Sequence, residues 1–271
     1  MLPIRHSPAR VVGAAVLAVL LYASGRAAWR IGQSAELVRQ SEPYRQHPAD
    51  ATLRLLVVGD STAVGTGASS PAASLAGLLG AQQPRLWIDN RAHDGARFAD
   101  LPAQLTASAG HYDLVLVQAG GNDVIRLSDA DALRHSIDTV TRLARRKAPL
   151  VLLMPAGNVG NSPFFFAPLS GWMTSRSREL HRMVREAALR HGAVYINLFQ
   201  EREDDPFVKD PGLSARDGLH PSDAGYRVWH DALIAQGGLA SVLAHGPTAS
   251  PASVRHWFRQ RSRTAGSSGL V

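Results

Sequence analysis

Cysteine is absent from the chain. That absence excludes a disulfide framework, a thiolate metal site and a cysteine nucleophile, and it leaves the redox compartment undecided. Long apolar runs are scarce too. The oiliest stretch, residues 11–25 (VVGAAVLAVLLYASG), falls short of the roughly 20 residues that span a bilayer comfortably. No lysine follows the glycines of residues 54–69 (RLLVVGDSTAVGTGAS), and Gly59, Gly65 and Gly67 lack the G-x-G-x-x-G spacing. A phosphate-cradling P-loop and a dinucleotide fingerprint are both excluded. His93, His111, His135, His181, His191 and His230 are scattered rather than paired, so no metal site is expected and these histidines belong mostly to surface or helix positions. Acidic side chains are missing from residues 246–271, which matters for reading the net charge of +7. Residues 53–245 hold 19 basic and 19 acidic side chains, so all of the excess is in the two ends. A neutral core leaves no electrostatic footprint for DNA or RNA, and a nucleic-acid partner is not expected.

What is present suffices for one sizeable core. Residues 1–31 start with Arg5 and Arg10, continue through the apolar stretch, and offer the small residues Ala23 and Gly25 where a peptidase would cut. That is the shape of a secretory signal, with an uncleaved membrane anchor as its rival. Either reading expects an exported protein, periplasmic or extracellular, or one anchored to the membrane by this segment. Residues 32–52, polar and carrying Pro43 and Pro48, read as a linker. The main domain follows over 53–245, and 246–271 is a basic tail expected to be disordered.

Within the domain, short apolar runs (Leu53 to Val58, Leu86 to Ile88, Leu114 to Val117, Leu150 to Met154, Val194 to Leu198) alternate with helical patterns. The helices are expected near Ala72 to Gln82, Leu101 to Ala109, Asp129 to Arg146, Thr174 to Arg190 and Ser222 to Leu243. Runs of continuous oil are buried on both faces, which implies a parallel sheet between two layers of helices. Such a sheet places its chemistry beyond the carboxyl ends of its strands.

The segments that follow those strands are therefore informative. They are Gly59-Asp60-Ser61, then DNRAHDGA (residues 89–96), QAGGND (residues 118–123) and DGLHPSDAGY (residues 217–226). Ser61 at a strand-to-helix junction projects a hydroxyl; His220 can take its proton; Asp217, three residues earlier with Gly218 between, can hold the imidazole. Asn122 offers a side-chain N–H, and Gly95 and Ser61 offer backbone N–H groups, for an oxyanion. Asp60 and Asp123 are expected to organise these loops by accepting backbone N–H bonds. Each segment alone is an ordinary turn or helix approach, with Ser222 as an N-cap; together and in this order they form a constellation.

These four segments resemble the blocks of the SGNH hydrolases, the GDSL-type esterases and lipases. VVGDST corresponds to the block of Ser61, NRAHDGA to that of Gly95, GGND to that of Asn122, and DGLHPSDAGY to that of Asp217 and His220, over roughly residues 53–243. The resemblance implies a three-layer α/β/α sandwich on a five-stranded parallel sheet, flavodoxin-like, and cofactor-free, metal-free hydrolysis of esters or thioesters through an acyl-enzyme. Thr62 stands where many members have leucine, which argues against a typical lipase. Alternatives within this reading are a carbohydrate O-acetylesterase or acyltransferase, or a silent membrane-tethered protein that binds a glycan or lipid. The aromatic segment of residues 155–177, with Phe164, Phe165, Phe166, Trp172 and Met173, is either a flap over the core, a wall of the substrate pocket built on Phe165 and Trp172, or a membrane-facing lid.

Overall fold

The computed structural model describes residues 8–239. Five strands, β1 (Leu53–Gly59), β2 (Leu86–Asn90), β3 (Leu114–Ala119), β4 (Leu150–Pro155) and β5 (Val194–Tyr195), form one sheet in the order β2-β1-β3-β4-β5, every pair parallel. The helices are α1 (Pro8–Gln40), α2 (Ser61–Val64), α3 (Leu75–Gln82), α4 (Leu101–Ala107), α5 (Gly121–Ile125), α6 (Ala130–Lys147), α7 (Leu169–His191), α8 (Pro206–Lys209) and α9 (Asp223–Gly237).

The continuous oil of the strands has the expected cause. Successive side chains point to opposite faces, and each face is covered. Leu56 and Val58 of β1, with Val115, Val117, Val151 and Leu153, pack under α4, α6 and α7. Leu53, Leu55 and Val57, with Leu114, Leu116 and Leu152, pack under α3 and α9. Each such aliphatic side chain, fully removed from water, contributes about 1.5–3 kcal/mol before conformational entropy is counted. The result is a three-layer α/β/α sandwich. Since β1 lies between β2 and β3, the chain leaves β1 toward one edge and returns to build the other, which makes the end of β1 the switch point where a crevice opens.

Three expectations need correction. The β5 run is cut to two residues because Asn197 turns the chain: its side-chain oxygen accepts the Phe199 N–H at 3.0 Å, and its own N–H leaves the ladder for Gln236 Oε1 at 2.7 Å. The proposed linker of residues 32–52 is largely structure. α1 runs on to Gln40, and Gln46 then exchanges backbone bonds with Ile88 in an antiparallel bridge (N–H to Ile88 O 3.2 Å, Ile88 N–H to Gln46 O 2.8 Å). The Gln46 side-chain amide also donates to the carbonyls of Gln83, Pro84 and Leu86, so this segment covers the free edge of β2. Finally, α7 begins at Leu169 and takes Trp172 and Met173 out of the supposed loop.

At the N-terminal end α1 passes through Ala23 and Gly25 without interruption. Val12, Leu17, Val19, Leu21 and Tyr22 on it are exposed. Among the described residues no helix is long and apolar enough to cross a membrane. The last residues of the expected final helix and the basic tail, 240–271, lie outside the described residues.

Candidate active site

Ser61 is delivered by a backbone that tolerates only glycine one step before Asp60. Gly59 has φ +157°, and a Cβ there would collide with the Gln118 carbonyl oxygen of β3. The buried Gln104 of α4 fastens this point from both sides, accepting the Gly59 N–H at 2.8 Å and donating to the Gly59 carbonyl at 2.9 Å. Asp60 then caps α2: its Oδ1 accepts the Thr62 N–H (2.9 Å) and the Thr62 hydroxyl (2.7 Å). Ser61 is thereby the first residue of α2, where no carbonyl of its own helix reaches its N–H.

The second and third loops lie beside it. Asn90, fully buried at the end of β2, donates to the Ala63 carbonyl (2.8 Å) and accepts from the Ala92 N–H (3.1 Å), which ties this loop to α2. Gly95 follows with φ +75°, a left-handed conformation that favours glycine. Asn122 sits in the first turn of α5 and gives one amide proton to the Ala96 carbonyl at 3.2 Å, leaving its second N–H unengaged among the described residues. Asp123 accepts the Phe98 N–H (3.0 Å) and the Ser128 hydroxyl (2.8 Å), so both Asp60 and Asp123 hold loops together as expected.

From the loop before α9, Asp217 and His220 approach Ser61. His220 Nδ1 is 2.6 Å from Asp217 Oδ2, and His220 Nε2 is 2.9 Å from Ser61 Oγ. Asp217 Oδ1 accepts the backbone N–H groups of Leu219 (3.0 Å) and His220 (3.1 Å), which turns the loop back on itself. Ser222 caps α9 by accepting the Gly225 N–H, and the buried Tyr226 hydroxyl donates to the Thr66 carbonyl at 2.9 Å. The last segment is thus anchored to the first at three places, His220 at Ser61, Asp223 at the N–H and hydroxyl of Ser69, and Tyr226 at Thr66.

Electrostatics follow from this burial. Desolvation raises the Asp60 carboxyl to about 6, against the opposing pull of its two Thr62 bonds and of His220. Burial raises Asp123 as well. At Asp217 burial acts in the same direction, but the His220 hydrogen bond and charge, with the two N–H donors, outweigh it and hold the carboxyl below its ordinary value. His181 of α7, buried behind the site against the Ala156 carbonyl (2.7 Å), is pushed by desolvation down to about 4. Among the described residues no cluster of three or more metal-ligating side chains occurs.

The four loops open into one cleft of about 370 Å³, lined by Ser61, Gly95, Asn122 and His220. Phe165 and Trp172 do not line it. Phe165 packs against the core beneath α7, and Trp172 is exposed on that helix because the helix starts five residues earlier than its pattern suggested. The walls come instead from residues that the sequence reading passed over: Ser34 and Val38 of α1, Arg126, Asn158, Asp205, Phe207 and Trp229. Asp205-Pro206 carries the signature of an acidic N-cap before a first-turn proline, and Asp205 does accept the Phe207 N–H at 2.9 Å. The α1 contribution also had a signal. Arg26, Arg30, Ser34 and Val38 recur every four residues, one face of a helix; Arg26 reaches the Pro163 carbonyl, Arg30 lies against Gly218, and Ser34 and Val38 enter the cleft.

Comparison with known proteins agrees with this fold. The profile of the GDSL-like lipase/acylhydrolase family matches residues 57–228. No curated protein matches the chain. Similar solved structures include an alpha/beta hydrolase from the metagenome of Lake Arreo, Spain, at 21% identity, covering 69% of this chain and 96% of the other with a TM-score of 0.57. An acetylxylan esterase from Geobacillus stearothermophilus (20% identity, 71% and 97% coverage, TM-score 0.52) and an extracellular lipase from Streptomyces rimosus (19%, 68% and 99%, 0.51) share the fold as well. Over most of its length, therefore, the chain belongs to the GDSL-like lipase/acylhydrolase family and is an ester-hydrolysing enzyme.

Proposed function

We propose that the enzyme hydrolyses carboxylic esters or thioesters of small molecules through an acyl-enzyme on Ser61. The observation that carries the reading is the position of His220, with one ring nitrogen toward Ser61 Oγ and the other toward Asp217. Ser61 attacks the carbonyl carbon as His220 Nε2 takes its proton. Asp217 fixes the tautomer and stabilises the imidazolium. Negative charge on the carbonyl oxygen is met by the N–H groups of Ser61 and Gly95 and by the free amide proton of Asn122. His220 then returns the proton to the departing alcohol, the tetrahedral adduct collapses to the acyl-enzyme, and water repeats the attack with His220 again as base.

A panel of para-nitrophenyl esters and acetylated sugars, run with wild type and Ser61→Ala, tests the proposal. Turnover by wild type that Ser61→Ala loses is the expected result; turnover that survives the substitution refutes it. A second reading, a carbohydrate O-acetylesterase or acyltransferase, draws on the amide side chains of Asn197 and Gln200 at the cleft wall, whose N–H₂ groups donate to no other group among the described residues and suit a hydroxyl-rich alcohol. Transfer to added sugar acceptors separates the two. Location belongs to the same proposal. The exposed apolar residues of α1 and its flanking arginines support export, or attachment to a lipid surface, through residues 1–31. The mass of the mature N-terminus and extraction of membranes with carbonate decide between them.

A further inference from the structure

Among the described residues one arginine lines the cleft, and it lies against Gly95. Arg126 closes α5, and its N–H donates to the Asn122 carbonyl at 2.9 Å, so its backbone is fixed relative to Asn122. Its Nη2 lies 3.1 Å from the point a Cβ on Gly95 would occupy. The guanidinium therefore covers Gly95, the glycine proposed above as an oxyanion donor.

Among the described residues Arg126 has no ion pair and its side chain donates no hydrogen bond, whereas Arg91, Arg178 and Arg182 are each spent on a carboxylate. The acids nearest the cleft are engaged elsewhere. Asp60 is taken by Thr62, Asp123 by Phe98 and Ser128, and Asp205 by Asn161 and Phe207. An unspent, permanently charged fork at the wall of a cleft fits a planar anion such as a carboxylate, or a phosphate.

Resting on the Ser61 reading of the preceding section, we propose that Arg126 is a specificity-determining residue that favours esters carrying an anionic group within reach of the scissile carbonyl. A charge-assisted hydrogen bond at a partly exposed site corresponds to about tenfold in kcat/KM.

Two matched pairs of esters test this. The first varies the acyl side, para-nitrophenyl hexanoate against the mono-para-nitrophenyl ester of adipate; the second varies the alcohol side, para-acetoxybenzamide against para-acetoxybenzoate. The readout is the ratio of kcat/KM for the charged member over the neutral one, which cancels any change common to both. In Arg126→Gln this ratio is expected to fall about tenfold in at least one pair, with partial recovery in Arg126→Lys and a smaller difference at high salt. A ratio within about twofold of wild type in both pairs overturns the proposal, and equal losses on both members assign Arg126 to the oxyanion of every ester instead. Ser61→Ala run in parallel keeps the two readings apart: if it still hydrolyses the neutral esters, the nucleophile has been misassigned, whatever the ratio shows.

Discussion

Replacing Asp60 by asparagine isolates the cost of a buried charge next to Ser61. Asp60 is 1% exposed and its carboxyl is raised from 3.8 to about 6, chiefly by desolvation. Between those two values the folded protein holds a proton that the unfolded chain has already released. Stability therefore falls as pH rises through this window, because the folded state binds more protons than the unfolded one. A displacement of about two pH units, at about 1.4 kcal/mol each, amounts to about 3 kcal/mol by neutral pH. The asparagine side chain would keep an oxygen for the Thr62 N–H and hydroxyl and carry no charge. Its new N–H₂ group adds an offset to stability, but that offset does not vary with pH. Urea unfolding of wild type and Asp60→Asn at several pH values between about 3.5 and 7.5 should show the variant gaining about 3 kcal/mol on wild type as pH rises. A difference that stays flat refutes the desolvation argument. One that moves the other way shows a carboxylate stabilised by its neighbours.

Other substitutions address the site itself. Asn122→Ala is expected to lower kcat by about 10²–10³ with KM little changed, since the amide acts on the transition state alone; a pure KM effect in steady-state kinetics contradicts that role. Asp217→Asn leaves the loop bonds to Leu219 and His220 possible but presents the wrong partner to the imidazole, and should cost about 10⁴ in kcat without loss of fold by circular dichroism. Tyr226→Phe removes the bond to the Thr66 carbonyl in a fully buried place. It should cost about 1–3 kcal/mol in a denaturant titration, and an unchanged midpoint shows that this anchor between the first and last segments carries no energy.

The layered sheet was legible because each strand is buried on both faces and so writes itself as a continuous apolar run. The switch-point loops were legible for a related reason: Gly59 and Gly120 end the runs of β1 and β3, and Gly95 and Gly218 turn the loops farther on, all four with positive φ values. Less could be read where contacts are made by backbone and amides. Gln46 covers the edge of β2 through bonds that hydropathy does not register, and polar residues 32–40 looked like a linker although they continue a helix whose four-residue stripe meets the domain. The aromatic cluster misled for the opposite reason. Phe165 is apolar because it packs on the core, and Trp172 is apolar yet exposed, so neither marks the cleft. Its lining mixes amides, small and apolar residues and one arginine, drawn from α1, α5, the loops near α8 and α9, so no single stretch of sequence spells it out.

The central claim is that the Ser61 hydroxyl, 2.9 Å from His220 Nε2, is the group that attacks the substrate. Incubation with a fluorophosphonate followed by peptide mass spectrometry tests it most directly. One adduct per chain, on Ser61, formed in step with loss of esterase activity and suppressed in His220→Ala, is the predicted result. Full inactivation with the adduct on another residue, or an active esterase that never labels at Ser61, would contradict it.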